Sequence, residues 1–80
     1  MILGWVKLLP VLPKGEILCC SYWSKESDGE SRCHHIITSR KMRDRYNLYE
    51  VNGDNLIKIA TAPNPVILEE TYLKGDEFRA

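Results

Sequence analysis

The sequence predicts a small α+β domain, an antiparallel β-meander of four or five strands packed by one short C-terminal helix. Three observations carry that expectation. Two β-prone runs, residues 46–51 and 55–61, flank the dipeptide Asn52-Gly53. That dipeptide is a strong hairpin signal, because a type I′ turn needs positive φ at both central residues. Further on, Asn64-Pro65 and Gly75 bracket a segment with helix caps at both ends. The connections between strand-like runs are also too short for parallel crossovers.

The elements follow in chain order. Residues 1–14 read as an N-terminal arm or edge strand, and residues 15–80 as one domain. The arm is largely apolar from Met1 to Pro10, with Lys7 inside it, but lacks the basic start and small-residue cleavage site of a signal peptide. Pro10 and Pro13 interrupt it well short of the roughly 20 residues a membrane span needs, so no membrane contact is expected. The first ten residues are the candidate fifth strand. Residues 15–24 and 32–39 are strand-like, and the polar stretch between them holds Asp28-Gly29, a plausible turn. A hairpin through that turn places Cys33 opposite about Ser24 and His35 opposite about Tyr22. Residues 40–45 read as a polar connection.

With Asn52-Gly53 as a two-residue loop, Leu48 faces Ile57 and Tyr46 faces Ile59, giving one shared apolar face. Asn47 and Lys58 fall on the other side. In the helix, Asn64 suits the N-cap and Pro65 the first position, where a missing N–H costs nothing. Glu69 and Glu70 fall early, Lys74 in the last turn, and Gly75 at a left-handed stop. Val66, Ile67, Leu68, Tyr72 and Leu73 spread around much of the circumference, so packing on the sheet must stabilise so short a helix.

Composition bounds the function. At 80 residues there is room for one core, and a chain this size buries only about 60–65% of its unfolded surface. Apolar residues make up 44% and charged residues 28%, values of a globular domain rather than a disordered chain. Eleven basic and eleven acidic residues cancel, and a neutral small protein lacks the repulsion that keeps copies apart. The charge is uneven: residues 31–45 carry five cations against Asp44, while residues 46–80 carry six acids against three bases. Such a chain suits nucleic acid or head-to-tail pairing. Cys19, Cys20 and Cys33 are an odd count with two adjacent, a poor disulfide framework. Reduced thiols are expected, and with them a cytoplasmic location.

Three groups of residues bear on chemistry. Cys33, His34 and His35, with Cys19 and Cys20, are weak candidates for a zinc site. No C-x₂-C pair is present, and adjacent strand residues point to opposite faces, so buried cysteines as small apolar residues are favoured. A cysteine nucleophile with a histidine base needs a lowered thiol pKa and a third orienting group, and neither is indicated. No enzymatic activity and no cofactor are therefore expected. Arg40, Lys41, Arg43 and Arg45 make a basic segment beside Tyr46 and Tyr49, the pattern of phosphate neutralisation with stacking. The neutral overall charge and the core-facing position of Tyr46 weigh against it. Trp5, Tyr22 and Trp23 are more aromatic surface than the expected core absorbs, which makes them candidates for an interaction surface. The leading expectation is a non-enzymatic binding module that pairs with itself or another protein. Nucleic-acid binding through residues 40–45 is the alternative, and a zinc-binding domain the third reading.

Overall fold

The computed structural model describes residues 10–73 and 75–80. Four strands form where alternating and β-branched residues recur: β1 (Glu16–Lys25), β2 (Ser31–Arg40), β3 (Tyr46–Asn52) and β4 (Asn55–Ala62). A helix, α1 (Pro65–Tyr72), and a two-residue strand, β5 (Phe78–Arg79), follow. All pairings are antiparallel and the sheet order is β4-β3-β2-β1-β5. The fold class is the one expected from sequence.

The fifth strand among the described residues is C-terminal. Phe78 pairs with Trp23 and Arg79 with Tyr22, and Ala80 and Ser21 exchange both backbone hydrogen bonds. Two residues leave no alternation to read. Of the expected arm, residues 10–14 hold no strand. Residues 1–9, with Trp5 among them, lie outside the described residues, as does Lys74.

The β1–β2 hairpin turns at Asp28-Gly29 as expected, with Gly29 at φ 89° and its N–H donating to the Glu26 carbonyl at 2.9 Å. His35 pairs with Tyr22, but Cys33 pairs with Trp23 rather than Ser24. The cause is a β-bulge that leaves His34 without a partner rung; a second bulge does the same for Cys19.

The β3–β4 turn corrects the expected register. Asn52 stays in its strand and pairs with Asn55, so the two loop residues are Gly53 and Asp54. Only Gly53 has positive φ, at 64°. This matches the pattern with glycine first, type II′, instead of a type I′ turn at Asn52-Gly53. Leu48 consequently pairs with Ala60, Tyr46 with Ala62, Asn47 with Thr61 and Tyr49 with Lys58. A bulge beside Leu48 leaves Ile59 outside the ladder. Ile57 and Ile59, expected inside, are 46% and 39% exposed.

Strand alternation builds apolar clusters on both faces of the sheet. Tyr22, Ile37, Leu48 and Ala62 pack with Leu68 of α1, flanked by Cys20, Tyr46, Ala60 and Leu73. On the other face Cys33, Ile36 and Tyr49 pack with Leu12, Trp23, Val51 and Leu56. Asn64 caps α1 as expected, its side chain accepting from the Ile67 N–H at 3.0 Å, with Pro65 in the first turn. The charge placement does not follow expectation. Glu69 and Glu70 fall after the first turn, and the helix ends on Leu73 in extended conformation before reaching Gly75. Only Leu68 of the helix is buried; Val66, Ile67 and Tyr72 remain exposed.

Candidate functional site

Among the described residues, strand β4 forms one outer edge of the sheet over its full eight residues. Edge strands present a row of unpaired N–H and C=O groups, which natural sheets blunt with charges, proline or bulges. Here the protection consists of one bulge and one charge, Lys58. The Lys58 ammonium lies 5.9 Å from the centroid of the Tyr49 ring, a cation–π distance that draws it back over the sheet. Ile57 and Ile59 are exposed along this edge. The helix packed on β4 adds exposed Val66, Ile67 and Tyr72. The sequence places Ile57 and Ile59 on the Leu48 face; the observed turn shifts the register by two residues, which keeps Ile57 on that face opposite Glu50, and the bulge puts Ala60 in place of Ile59 opposite Leu48.

The aromatic residues expected at a surface divide. Tyr22 is only 4% exposed and belongs to the helix-side core, because alternation along β1 turns it towards Leu68. This corrects its assignment to an association surface. Trp23 is half-buried, packs on the second cluster and donates its indole N–H to Ser21 Oγ at 2.8 Å. It pairs across strands with exposed Phe78.

The basic segment forms the exposed β2–β3 connection and the strand end before it. Arg40 pairs with Asp44 at 3.2 Å and Arg45 donates to Thr61 Oγ1 at 3.0 Å. Lys41 and Arg43 make no ion pair or side-chain hydrogen bond within the described residues. Arg43 adopts φ 55°, the one positive value at a non-glycine position among the described residues.

The candidate zinc ligands are separated by the bulge. Cys33 is buried on the face away from α1. His35 lies on the helix side, its Nδ1 3.0 Å from Glu77 Oε1. His34, at the bulge, has Nε2 2.6 Å from Ser24 Oγ. Among the described residues no three His, Cys, Asp or Glu side chains converge on a position that would hold a metal ion. Burial pushes the Cys33 and Cys20 thiols above their ordinary values, so both are protonated at neutral pH.

Three polar clusters are not evident from the sequence, the first two because they join residues distant along the chain and the third because it forms at the bulge beside His34. In the first, the Tyr22 hydroxyl donates to Glu69, which also accepts from Arg79 at 3.1 Å, while Cys20 Sγ lies 3.1 Å from the Tyr22 oxygen. Burial, then the bonds to Cys20 and Glu69, drive the Tyr22 pKa well above the phenol range. In the second, one oxygen of Glu16 accepts from Thr38 at 2.6 Å, Tyr49 at 2.9 Å and Asn47 at 3.4 Å. Burial, with the bond to Glu16 second, pushes the Tyr49 hydroxyl up to about 12. In the third, Ser24 donates to Glu26 at 2.9 Å beside His34, and these two bonds hold the Glu26 carboxyl below its ordinary value. Glu26 approaches the same His34 nitrogen that Ser24 does, at 3.4 Å. A nucleophile–base–orienter relay uses the two ring nitrogens separately, so this triangle braces the hairpin end instead.

Among the described residues no helix is long and apolar enough to cross a membrane. Comparison of the chain with protein-family models, with curated proteins and with solved structures finds no match.

Proposed function

We propose that this chain is a binding module that associates with a second copy of itself through the β4 edge. The observation that carries the reading is an eight-residue edge strand with exposed Ile57 and Ile59 and a single charge. Pairing β4 with β4 of another copy would satisfy the open backbone groups and cover those side chains. The helix α1, which packs on β4, carries exposed Val66, Ile67 and Tyr72 as further apolar area. A formal net charge of zero offers no opposing repulsion.

Analytical ultracentrifugation tests this. The wild type should sediment as a dimer at high micromolar concentration, and the double variant Ile57→Lys/Ile59→Lys as a folded monomer. A wild-type chain that stays monomeric throughout, or a variant that dimerises as before, would overturn it. Nucleic-acid contact through residues 40–45 draws less support, since Arg40 and Arg45 are already engaged and two cations remain.

A further inference from the structure

We infer that Cys19 and Cys20 together bind a soft monovalent cation, Cu(I), as a two-coordinate bis-thiolate on the helix-side face of β1. The site goes beyond association through β4, from which β1 is separated by β2 and β3.

Adjacent cysteines on a regular strand point to opposite faces and cannot hold one ion between them. Here the strand is not regular. In the β1–β2 ladder Leu18 pairs with Thr38 and Cys20 with Ile37, so Cys19 is the extra residue of a bulge. The contacts of the two sulfurs place both on the same side. Cys20 packs against the cluster of Tyr22, Ile37, Leu48 and Leu68, with Sγ 3.1 Å from the Tyr22 hydroxyl. Cys19 Sγ donates to Ser39 Oγ at 3.4 Å. Ser39 lies two residues beyond Ile37 on β2 and opposite Tyr46, and both of these belong to the same cluster. Thiols from consecutive residues therefore stand side by side on one face. The pairing that sets them there is between β1 and β2, so it does not depend on what lies along the other edge of β1.

The type and number of donors select the ion. Soft thiolates favour Cu(I). Structural Zn(II) takes four ligands in a tetrahedron, and among the described residues no third His, Cys, Asp or Glu joins the pair. Cu(I), a closed-shell ion, is satisfied by two thiolates alone. The remaining thiol, Cys33, sits on the opposite face with Ile36 and Tyr49. Binding replaces two S–H bonds by two Cu–S bonds and releases two protons, leaving a complex of one negative charge with no electron transferred. Cys19 is exposed and gives the ion its first sulfur. When the Cys20 proton leaves, the Tyr22 hydroxyl keeps its bond to Glu69.

The test is anaerobic titration of the reduced full chain with Cu(I) against bicinchoninate, whose coloured complex reports the metal left over. The wild type should take one Cu(I) per chain, whereas Zn(II) should stay with a competing zinc indicator. Cys19→Ser and Cys20→Ser should each weaken Cu(I) binding by about a hundredfold or more, since losing a ligand costs more than losing an outer-shell partner. Cys33→Ser should bind as the wild type does. Thermal melts check that the variants fold, and exposed Cys19 is the position least able to disturb the core. No Cu(I) withdrawn from bicinchoninate, one Cu(I) shared between two chains, retention of Zn(II), full affinity in Cys19→Ser, or an equal loss in Cys33→Ser would each overturn the proposal.

Discussion

The hydroxyl of Tyr22 donates to the carboxylate of Glu69, 47 residues further along the chain, and this bond fastens α1 to the sheet at a point that is 4% exposed. Replacing Tyr22 with Phe keeps the ring and deletes the donor. Glu69 retains Arg79 as a partner, so the expected cost is that of one charge-assisted bond, about 1.5–3 kcal/mol. Urea denaturation of the Phe variant against wild type measures it; an unchanged midpoint would show that the bond adds nothing.

Stability should fall on the alkaline side. Tyr22 and Tyr49 both have phenol pKa values raised in the folded state, Tyr49 to about 12, against about 10 in the unfolded chain. The sign follows from linkage. Below pH 10 both states hold these protons and the contribution is complete. Above it the unfolded chain releases them while the folded one does not, so unfolding gains about 1.4 kcal/mol per pH unit for each such tyrosine. Absorbance titration at 295 nm should show two of the four phenols ionising only as the chain unfolds.

Glu16 is the hub of the opposite face. Glu16→Ala leaves the donors of Thr38, Tyr49 and Asn47 without their acceptor, and the expected loss is about 2–3 kcal/mol. Glu16→Gln keeps an acceptor oxygen and should recover much of it. For a chain this size each kcal/mol moves the melting temperature by roughly 4–8 °C, so calorimetry separates the two variants.

The β3–β4 turn can be tested against its alternative. Gly53→Ala forces a side chain into positive φ and should cost about 1 kcal/mol or more. Asn52→Thr should be neutral or mildly stabilising, because Asn52 is a strand residue here. Were Asn52-Gly53 the loop, Asn52→Thr would instead be the damaging change. Equilibrium unfolding of both variants decides between them.

Helix burial predicts an asymmetry between neighbours. Leu68 is 1% exposed and Ile67 43%. Leu68→Ala should cost about 2–4 kcal/mol through the cavity it leaves, whereas Ile67→Ala should stay within about 0.5 kcal/mol. Thermal melts monitored by circular dichroism are sufficient.

Local signals made the strands, the first turn, the helix start and the antiparallel order legible. Asn64 and Pro65 act within one helical turn, and Gly29 within one hairpin. What was not legible depended on one-residue choices or on distant partners. Asn52-Gly53-Asp54 offers two overlapping loops, and the choice between them slides β4 by two rungs, so that Ile57 meets Glu50 rather than Leu48. The bulges at Cys19 and His34 leave no composition signal, and the one at His34 displaces Cys33 from Ser24 to Trp23. The Tyr22–Glu69–Arg79 and Glu16 clusters join segments that only the folded sheet brings together.

The compensating bulges of the first hairpin have a consequence for chain length. Each ten-residue strand donates nine rungs to the shared ladder, with Cys19 surplus on β1 and His34 surplus on β2. Excising both would leave every remaining rung with its present partner and every side chain on its present side. Such a two-residue-shorter chain would be in register yet flatter, because surplus strand residues are what bend and wind a ribbon locally. Length in this hairpin therefore encodes curvature, separately from the pairing that the rest of the sequence specifies.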